Sequence, residues 1–323
     1  MATAIGTGTL FSPASSGPLF SYAKALMQFA NTPLTDPWHH DQWLYIRKNI
    51  GEWQGWFRQF SPMAVWQRDT PSVLTLAEDR PNEHMTLVLK RSPAGEPTQT
   101  MERDLGYPGA APYICFFPTG AFSQGAMQRR PWSSFGAEFS LLSDHRRMRL
   151  VQLYNGTANG DHNLEYVTLI PEYRVPHWAH RPAAPETLPL EINSLLGSWH
   201  GETVYFPATM APPQVTTSHW QAHMSGEEVV ISDTLLADAP QERRFKPLDH
   251  HRWQAVDHPK QYWLLPHGVS CTVCPQLPRD QTVQLEICWY LAPHQRQRLV
   301  RHYDAQGNWL GTGLALETRN AQS

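Results

Sequence analysis

The strongest constraint on this chain is a short motif that occurs twice. Gly51-Glu52-Trp53-Gln54-Gly55 and Gly197-Ser198-Trp199-His200-Gly201 share a Gly-x-Trp-x-Gly core, the second copy lying 146 residues after the first. Each motif opens a run of alternating side chains. Each therefore reads as the first strand of its own β-barrel, with glycines where the backbone must bend and a tryptophan large enough to plug the floor. The echo continues in order along the chain. Phe117-Pro118-Thr119-Gly120 matches Leu265-Pro266-His267-Gly268 and Glu138 falls on Glu286, both at an offset of 148. The run from His145 to Asn155 then matches His294 to Asp304 at 149. So small a drift leaves room only for loop-sized insertions in a shared topology.

The repeat divides the 323 residues into four parts. Residues 1–18 are Ala, Thr, Gly, Ser and Pro in the main, a composition unable to offset chain entropy by burial, and are expected to form a flexible tail. Residues 19–174 make the first barrel with its N-terminal helices, 175–189 a proline-rich, extended linker, and 190–323 the second barrel. Apolar groups at Phe20, Ala23, Met27 and Ala30 recur at helical spacing, so Leu19 to Asn31 reads as a helix. Thr35 to His40 reads as loop, and Gln42 to Asn49 as a further helical segment leading into Gly51. Leu190 to Leu196 repeats that arrangement on a smaller scale. A short helix under each barrel would close its open bottom.

Beyond Trp53 the pattern has period two, broken by Pro, Gly, Asn and Asp clusters. The expected strands of the first copy are Glu52–Gln59, Met63–Arg68, Val73–Ala77, Met85–Lys90, Gln99–Asp104, Tyr113–Phe117, Ala121–Gly125, Phe135–Leu142, Met148–Tyr154 and Leu164–Pro171. No helix-length segment interrupts them. The fold class is therefore all-β: two tandem antiparallel up-and-down barrels built from hairpins. The closing strand of the second copy runs from Trp309 to Thr318, after a turn at Asp304 to Asn308.

Composition narrows the function classes. Charged residues make up 17% of the chain and the formal net charge is −3, so no basic field exists to hold nucleic acid or an anionic membrane surface. Four cysteines in a chain of this length are too few for a disulfide framework, which points to a reducing compartment. There is no leader-like N-terminus and no apolar run long enough to span a bilayer, so a cytoplasmic protein without a transmembrane segment is expected.

A Gly-x-Trp preceded by a short helical turn, followed by eight or more up-and-down strands and a late strand bearing a basic residue, resembles the lipocalin and calycin superfamily. The tandem layout, with the approach Ile46-Arg47-Lys48-Asn49-Ile50 into Gly51 to Phe57, is similar to a two-barrel lipocalin-like family of cyanobacteria and plastids with no agreed function. The resemblance covers about Gln42 to Thr318. More distant single-barrel relatives include the S-type phycobiliprotein lyases, which hold an open-chain tetrapyrrole. In the superfamily an arginine from a late strand packs over the floor tryptophan, which by position implies Arg149 over Trp53 and Arg298 over Trp199. The resemblance implies a hydrophobic or tetrapyrrole-type pigment as ligand and a photosynthetic protein as a conceivable partner, with no cofactor.

The residues leave open whether either barrel is hollow. Trp53, Gly55 and Phe57 share one strand face, as do Trp199, Gly201, Thr203 and Tyr205, and these are the expected inward faces. Trp66, Phe117, Trp220 and Trp263 are candidates for ligand-lining walls. Glu138 and Glu286, retained between copies amid apolar strands, are read as buried partners of an arginine, as solvent-facing residues, or as acids that polarise a ligand. That last reading is the route to an enzyme, a cofactor-free bilin lyase or isomerase. A third alternative is a ligand-free scaffold presenting outer residues such as Trp56 and Arg58 to a protein partner. Cys271 and Cys274 have the spacing of a zinc or redox half-site, but positions three apart on a strand point to opposite faces, so buried small residues are expected there, as at Cys115 and Cys288. The sixteen histidines show no converging metal-ligand spacing and read as loop residues.

Overall fold

The structure, a computed structural model, describes residues 37–107, 113–176, 184–235 and 240–319. The expected tail, the helix at Leu19 to Asn31 and part of the linker lie outside the described residues. Helix α1 (Pro37–Ile46) runs into a 3₁₀ turn (Arg47–Asn49) that delivers the chain to the first strand. The helix thus begins within the segment expected to be loop. Nine strands follow: β1 (Gly51–Phe60), β2 (Trp66–Arg80), β3 (His84–Arg91), β4 (Gln99–Gly106), β5 (Ile114–Phe116), β6 (Phe122–Gly125), β7 (Phe135–Ser143), β8 (Arg146–Gly156) and β9 (His162–Arg174). Two expected strands are one, because β2 passes straight through Pro71, which lies opposite Trp56. A second 3₁₀ turn (Ile192–Ser194) precedes the second copy, a shorter helical element than its sequence implied.

The second copy comprises β10 (Gly197–Pro207), β11 (Gln214–Ser225), β12 (Glu228–Asp233), β13 (Gln241–Pro247), β14 (Arg252–Ala255), β15 (Gln261–Leu265), β16 (Val269–Val273), β17 (Gln276–Leu277), β18 (Val283–Ala292), β19 (Gln295–Tyr303) and β20 (Trp309–Arg319). All of these except β17 close into a ten-stranded antiparallel barrel, while β17 crosses over and pairs with β9. The first copy has the same up-and-down order but does not close. Its sheet runs β4-β3-β2-β1-β9-β8-β7-β6-β5, leaving β4 and β5 as edges. The all-β tandem architecture is as expected, but one of the two rings is a curled sheet with a gap.

The repeated motif has a separate use for each of its three residues. Gly51 and Gly197 adopt φ of 128° and 102°, a region that favours glycine, where the chain turns from the 3₁₀ segment into the strand. Trp53 and Trp199 are fully buried. Gly55 and Gly201 let β9 and β20 come close: a Cβ there would lie 2.1 Å from the carbonyl oxygen of Pro171 and 1.8 Å from that of Leu316. Those crowding segments carry Glu172 and Glu317, which lie opposite the two glycines in register.

The two copies share an extensive face. Arg129 donates to the carbonyl oxygens of Pro278, Arg279 and Gln281 at 2.7–2.9 Å. Gln152 donates to the Thr272 carbonyl at 3.0 Å, and the Tyr303 hydroxyl donates to that of Ala126 at 2.8 Å. Phe117 meets Phe206 edge to face at 5.2 Å. Trp56 and Arg58, expected on an outward face for a protein partner, are buried. Arg58 forks onto Asp69 with two bonds of 2.8 Å and donates to the Glu186 carbonyl, so the chain covers its own outer face here.

Candidate functional site

The floor of each copy is a charged cluster under an indole. In the first, Arg147 lies over Trp53 at 4.4 Å and Arg174 at 4.5 Å; in the second, Arg296 lies over Trp199 at 4.3 Å and Arg319 at 5.0 Å. The arginines stacked on the floor are therefore two residues earlier than the motif implied. Arg149 lies instead over Phe57 at 5.5 Å and Arg298 over Trp220 at 4.5 Å. Alternation explains the shift: Arg147 and Arg149 share a strand face, and the earlier one sits nearer the closed end.

A buried carboxylate holds each arginine pair. Glu172 accepts from Arg147 Nε at 2.7 Å and from Arg149 Nε and Nη2 at 2.9 and 2.8 Å. Although burial opposes ionisation, these two guanidiniums hold the carboxyl of Glu172 below its ordinary value. Glu317 does the same between Arg296 and Arg298, at 2.6 and 3.2 Å. Glu138 and Glu286, singled out in the sequence, complete the clusters by accepting from Arg149 at 2.7 Å and Arg298 at 3.0 Å. Glu172 and Glu317 were not singled out, though a repeated Glu-x-Arg, Glu172 to Arg174 and Glu317 to Arg319, marks them. Asn49 ties the floor to the helical turn: its carbonyl accepts from Trp53 Nε1 at 2.9 Å, and its side chain donates to Gly120 and accepts from Arg147.

Above these matching floors the copies diverge. The strand ladders place Trp53 opposite Leu74 but Trp199 opposite Trp220. Followed strand to strand, the same registers set Leu105 against Phe245, Ile114 against Tyr262 and Leu142 against Tyr290. At each of these positions the second copy has an aromatic ring where the first has an aliphatic side chain. The barrel also has β14, which contributes Trp253 and Ala255 to its core, and among the described residues the first copy has no strand in that place.

The consequence is one filled interior and one hollow. Around the rings of Trp199, Trp220, Phe245, Trp253 and Tyr262 the barrel core leaves a space of only about 40 Å³ beside Asp233 and Glu286, and a space of about 300 Å³ opens only above it, at the barrel mouth. The concave face of the first sheet holds a largely apolar cavity of about 260 Å³, lined by Leu74, Leu87, Leu105, Ile114 and Phe116 among others. A more polar space of about 230 Å³ adjoins it, and Phe57 and Val151 belong to the walls of both.

Charge diverges as well. Asp233 takes two bonds from Arg298, at 2.6 and 3.1 Å, but its register equivalent in the first copy is Leu89. The first copy therefore lacks one acid, while its walls include Arg68, Arg91 and Arg103, none of which has a carboxylate partner among the described residues. Among the described residues, Glu96 is the other acid on those walls besides Glu138. The hollow is apolar at depth and cationic toward its mouth.

Of the residues singled out in the sequence, Phe57, Glu138 and Arg149 line this cavity, and Trp53 lies beneath its Arg147. Trp199, Trp220, Glu286 and Arg298 form the filled barrel's counterpart, and Tyr205 lies over the backbone of Gly311. Three others lie elsewhere. Phe117 points away from the cavity to Phe206, Trp66 is 54% exposed at the end of β2, and Trp263 is buried on the barrel's outer face, donating to Gln261 at 2.9 Å. Cys271 and Cys274 are buried, and burial raises both thiols above their ordinary value. No helix among the described residues is long and apolar enough to cross a membrane.

Comparison with known proteins agrees with this geometry. Residues 39–176 match the domain of unknown function DUF3598, N-terminal. Residues 186–320 match the C-terminal domain of biogenesis factor required for ATP synthase 1. The crystal structure of a DUF3598-family protein of unknown function from Nostoc punctiforme is 29% identical, with a TM-score of 0.75 over 86% of this chain and 99% of that one. The tandem fold expected from the motif is thus shared with the DUF3598 protein along nearly its whole length. The S-type phycobiliprotein lyase of Guillardia theta is a distant match, 10% identical with a TM-score of 0.33 over 42% of this chain and 95% of that one. No curated protein matches.

Proposed function

We propose that the first sheet binds an apolar, carboxylate-bearing small molecule of the pigment or tetrapyrrole type, and that the filled barrel braces it. The observation that carries this reading is the substitution of aliphatic for aromatic side chains at matched registers, beside a 260 Å³ cavity whose mouth holds arginines without a carboxylate partner among the described residues. The two adjoining spaces together lie in the range of ordinary ligand sites, roughly 300–1,000 Å³. Arginine is suited to carboxylates because its planar fork makes paired, charge-assisted bonds. Glu138 and Glu286 are already committed to guanidiniums, which favours a binding role over acid catalysis by either.

The test is to titrate the protein with a bilin, a porphyrin and a carotenoid while following pigment absorption and tryptophan emission. The bilin and porphyrin carry carboxylates and should shift and quench; the carotenoid, lacking them, should bind at least tenfold more weakly. Leu74→Trp, which installs the ring that the second copy carries at that register, should fold and lose the response. Absence of any shift with all three pigments would remove the proposal. For the second half another reading has specific support: a barrel whose deep interior is filled has its mouth and outer surface to offer, which suits an assembly role like the one named for its match, with a photosynthetic protein as partner.

A further inference from the structure

A separate space of about 300 Å³ opens at the mouth of the second barrel, away from the cavity of the first sheet. Its walls include Lys260, Arg243, His258, His302 and Gln284, with Leu277 on the apolar side, and among the described residues no Asp or Glu faces it. Lys260 is only 6% exposed, and its ammonium has no hydrogen-bond or salt-bridge partner among the described residues. The acids below are engaged elsewhere: Asp233 and Glu286 are both bonded to Arg298, at 2.6 and 3.0 Å. Among the described residues the Arg243 guanidinium bonds only to the Gln241 side chain, at 3.1 Å. A buried cation without a counter-charge is costly, and the cost is relieved by a bound anion.

The histidines fit the same ligand. His258 Nδ1 accepts the backbone N–H of Lys260 at 3.0 Å, which puts the ring proton on Nε2 and makes that edge a donor. Burial first, then the charge of Arg243, lowers the Lys260 amine to about 8, against the opposing pull of the Glu286 and Asp233 carboxylates below. We propose that this space is a binding site for a small oxoanion, a phosphate or carboxylate group carried on a compact molecule whose remainder rests against Leu277. The volume exceeds that of a bare ion, so the group belongs to a small organic anion. The site is independent of the pigment reading, since it shares no residue with the walls of the first sheet's cavity.

Thermal unfolding of the full chain in phosphate, pyrophosphate or citrate, each against chloride at equal ionic strength, provides the test. At least one of the three should raise the melting temperature by several degrees, and phosphate against citrate distinguishes phosphoryl from carboxylate preference. Lys260→Met should weaken that anion at least tenfold while melting no lower than wild type in chloride, because it removes an unpaired buried charge. Arg243→Gln should weaken it in the same direction, and Lys246→Met, on the exposed outer surface, should respond as wild type. If no anion stabilises the wild-type chain beyond chloride, or if both Lys260→Met and Arg243→Gln respond as wild type does, the proposal is overturned.

Discussion

At the scale of residues, the molecule is organised by arginines that serve an indole and a carboxylate together. Each floor tryptophan lies under two guanidiniums, and each buried glutamate neutralises a pair of them. His267 ties the second copy to the linker and to Arg58 of the first in a pH-dependent way. His267 Nε2 accepts the backbone N–H of Glu186 at 3.1 Å beside the Arg58–Asp69 pair, and burial together with Arg58 lowers its pKa to about 4. Between its ordinary value and 4, the unfolded chain takes up a proton that the folded one refuses, so its stabilising contribution is complete at neutral pH and is lost as pH falls. Roughly 1.5 kcal/mol should disappear between pH 6.5 and 5. Denaturant unfolding of wild type and His267→Gln across that window should show a loss larger by that amount in wild type; equal slopes in both would contradict the assignment. The indoles, Glu138 and Glu286 were legible because they repeat. The distinction between Arg147 and Arg149 was not, because both copies repeat Arg-x-Arg and only the position along the strand tells which arginine reaches the floor.

At the scale of elements, the second glycine of each motif decides whether a strand can close on its neighbour. Gly55→Ala and Gly201→Ala would each drive a methyl group into a backbone carbonyl, and a backbone cannot move aside as a flexible side chain does. Each substitution should cost about 3 kcal/mol or more, whereas Gly95→Ala, with open space around it, should cost far less despite its φ of 76°. Chemical denaturation of the three variants measures the ordering, and a Gly55→Ala protein as stable as Gly95→Ala would refute it. The edge at β5 is also managed within an element: the Gln42 side-chain amide donates to the Phe116 carbonyl at 2.9 Å and accepts its N–H at 2.5 Å, standing in for a missing strand. Alternation located β1, β7, β8 and β20 closely. It assigned no face to Phe117, which follows β5, or to Trp263, whose strand β15 is buried on both faces, so that apolarity no longer tells inside from outside.

At the scale of the whole molecule, a duplicated plan has been used twice for different ends. The same floor supports a barrel packed with aromatic rings and a curled sheet that encloses space, and the difference resides in residues such as Leu74 and Trp220 that meet only through strand register. The tandem repeat was readable in the sequence, but closure was not. It depends on pairing between strands distant in the chain and on the short strand β14, whose four residues carry little pattern of their own. The central claim, one hollow copy and one filled, is most directly tested by diffraction from crystals pressurised with xenon, which enters apolar cavities and is excluded from packed cores. The account predicts xenon among Leu74, Leu87 and Ile114 on the concave face of the first sheet and none among Trp199, Trp220 and Phe245. Xenon inside the barrel, or its absence from the first sheet, would contradict it.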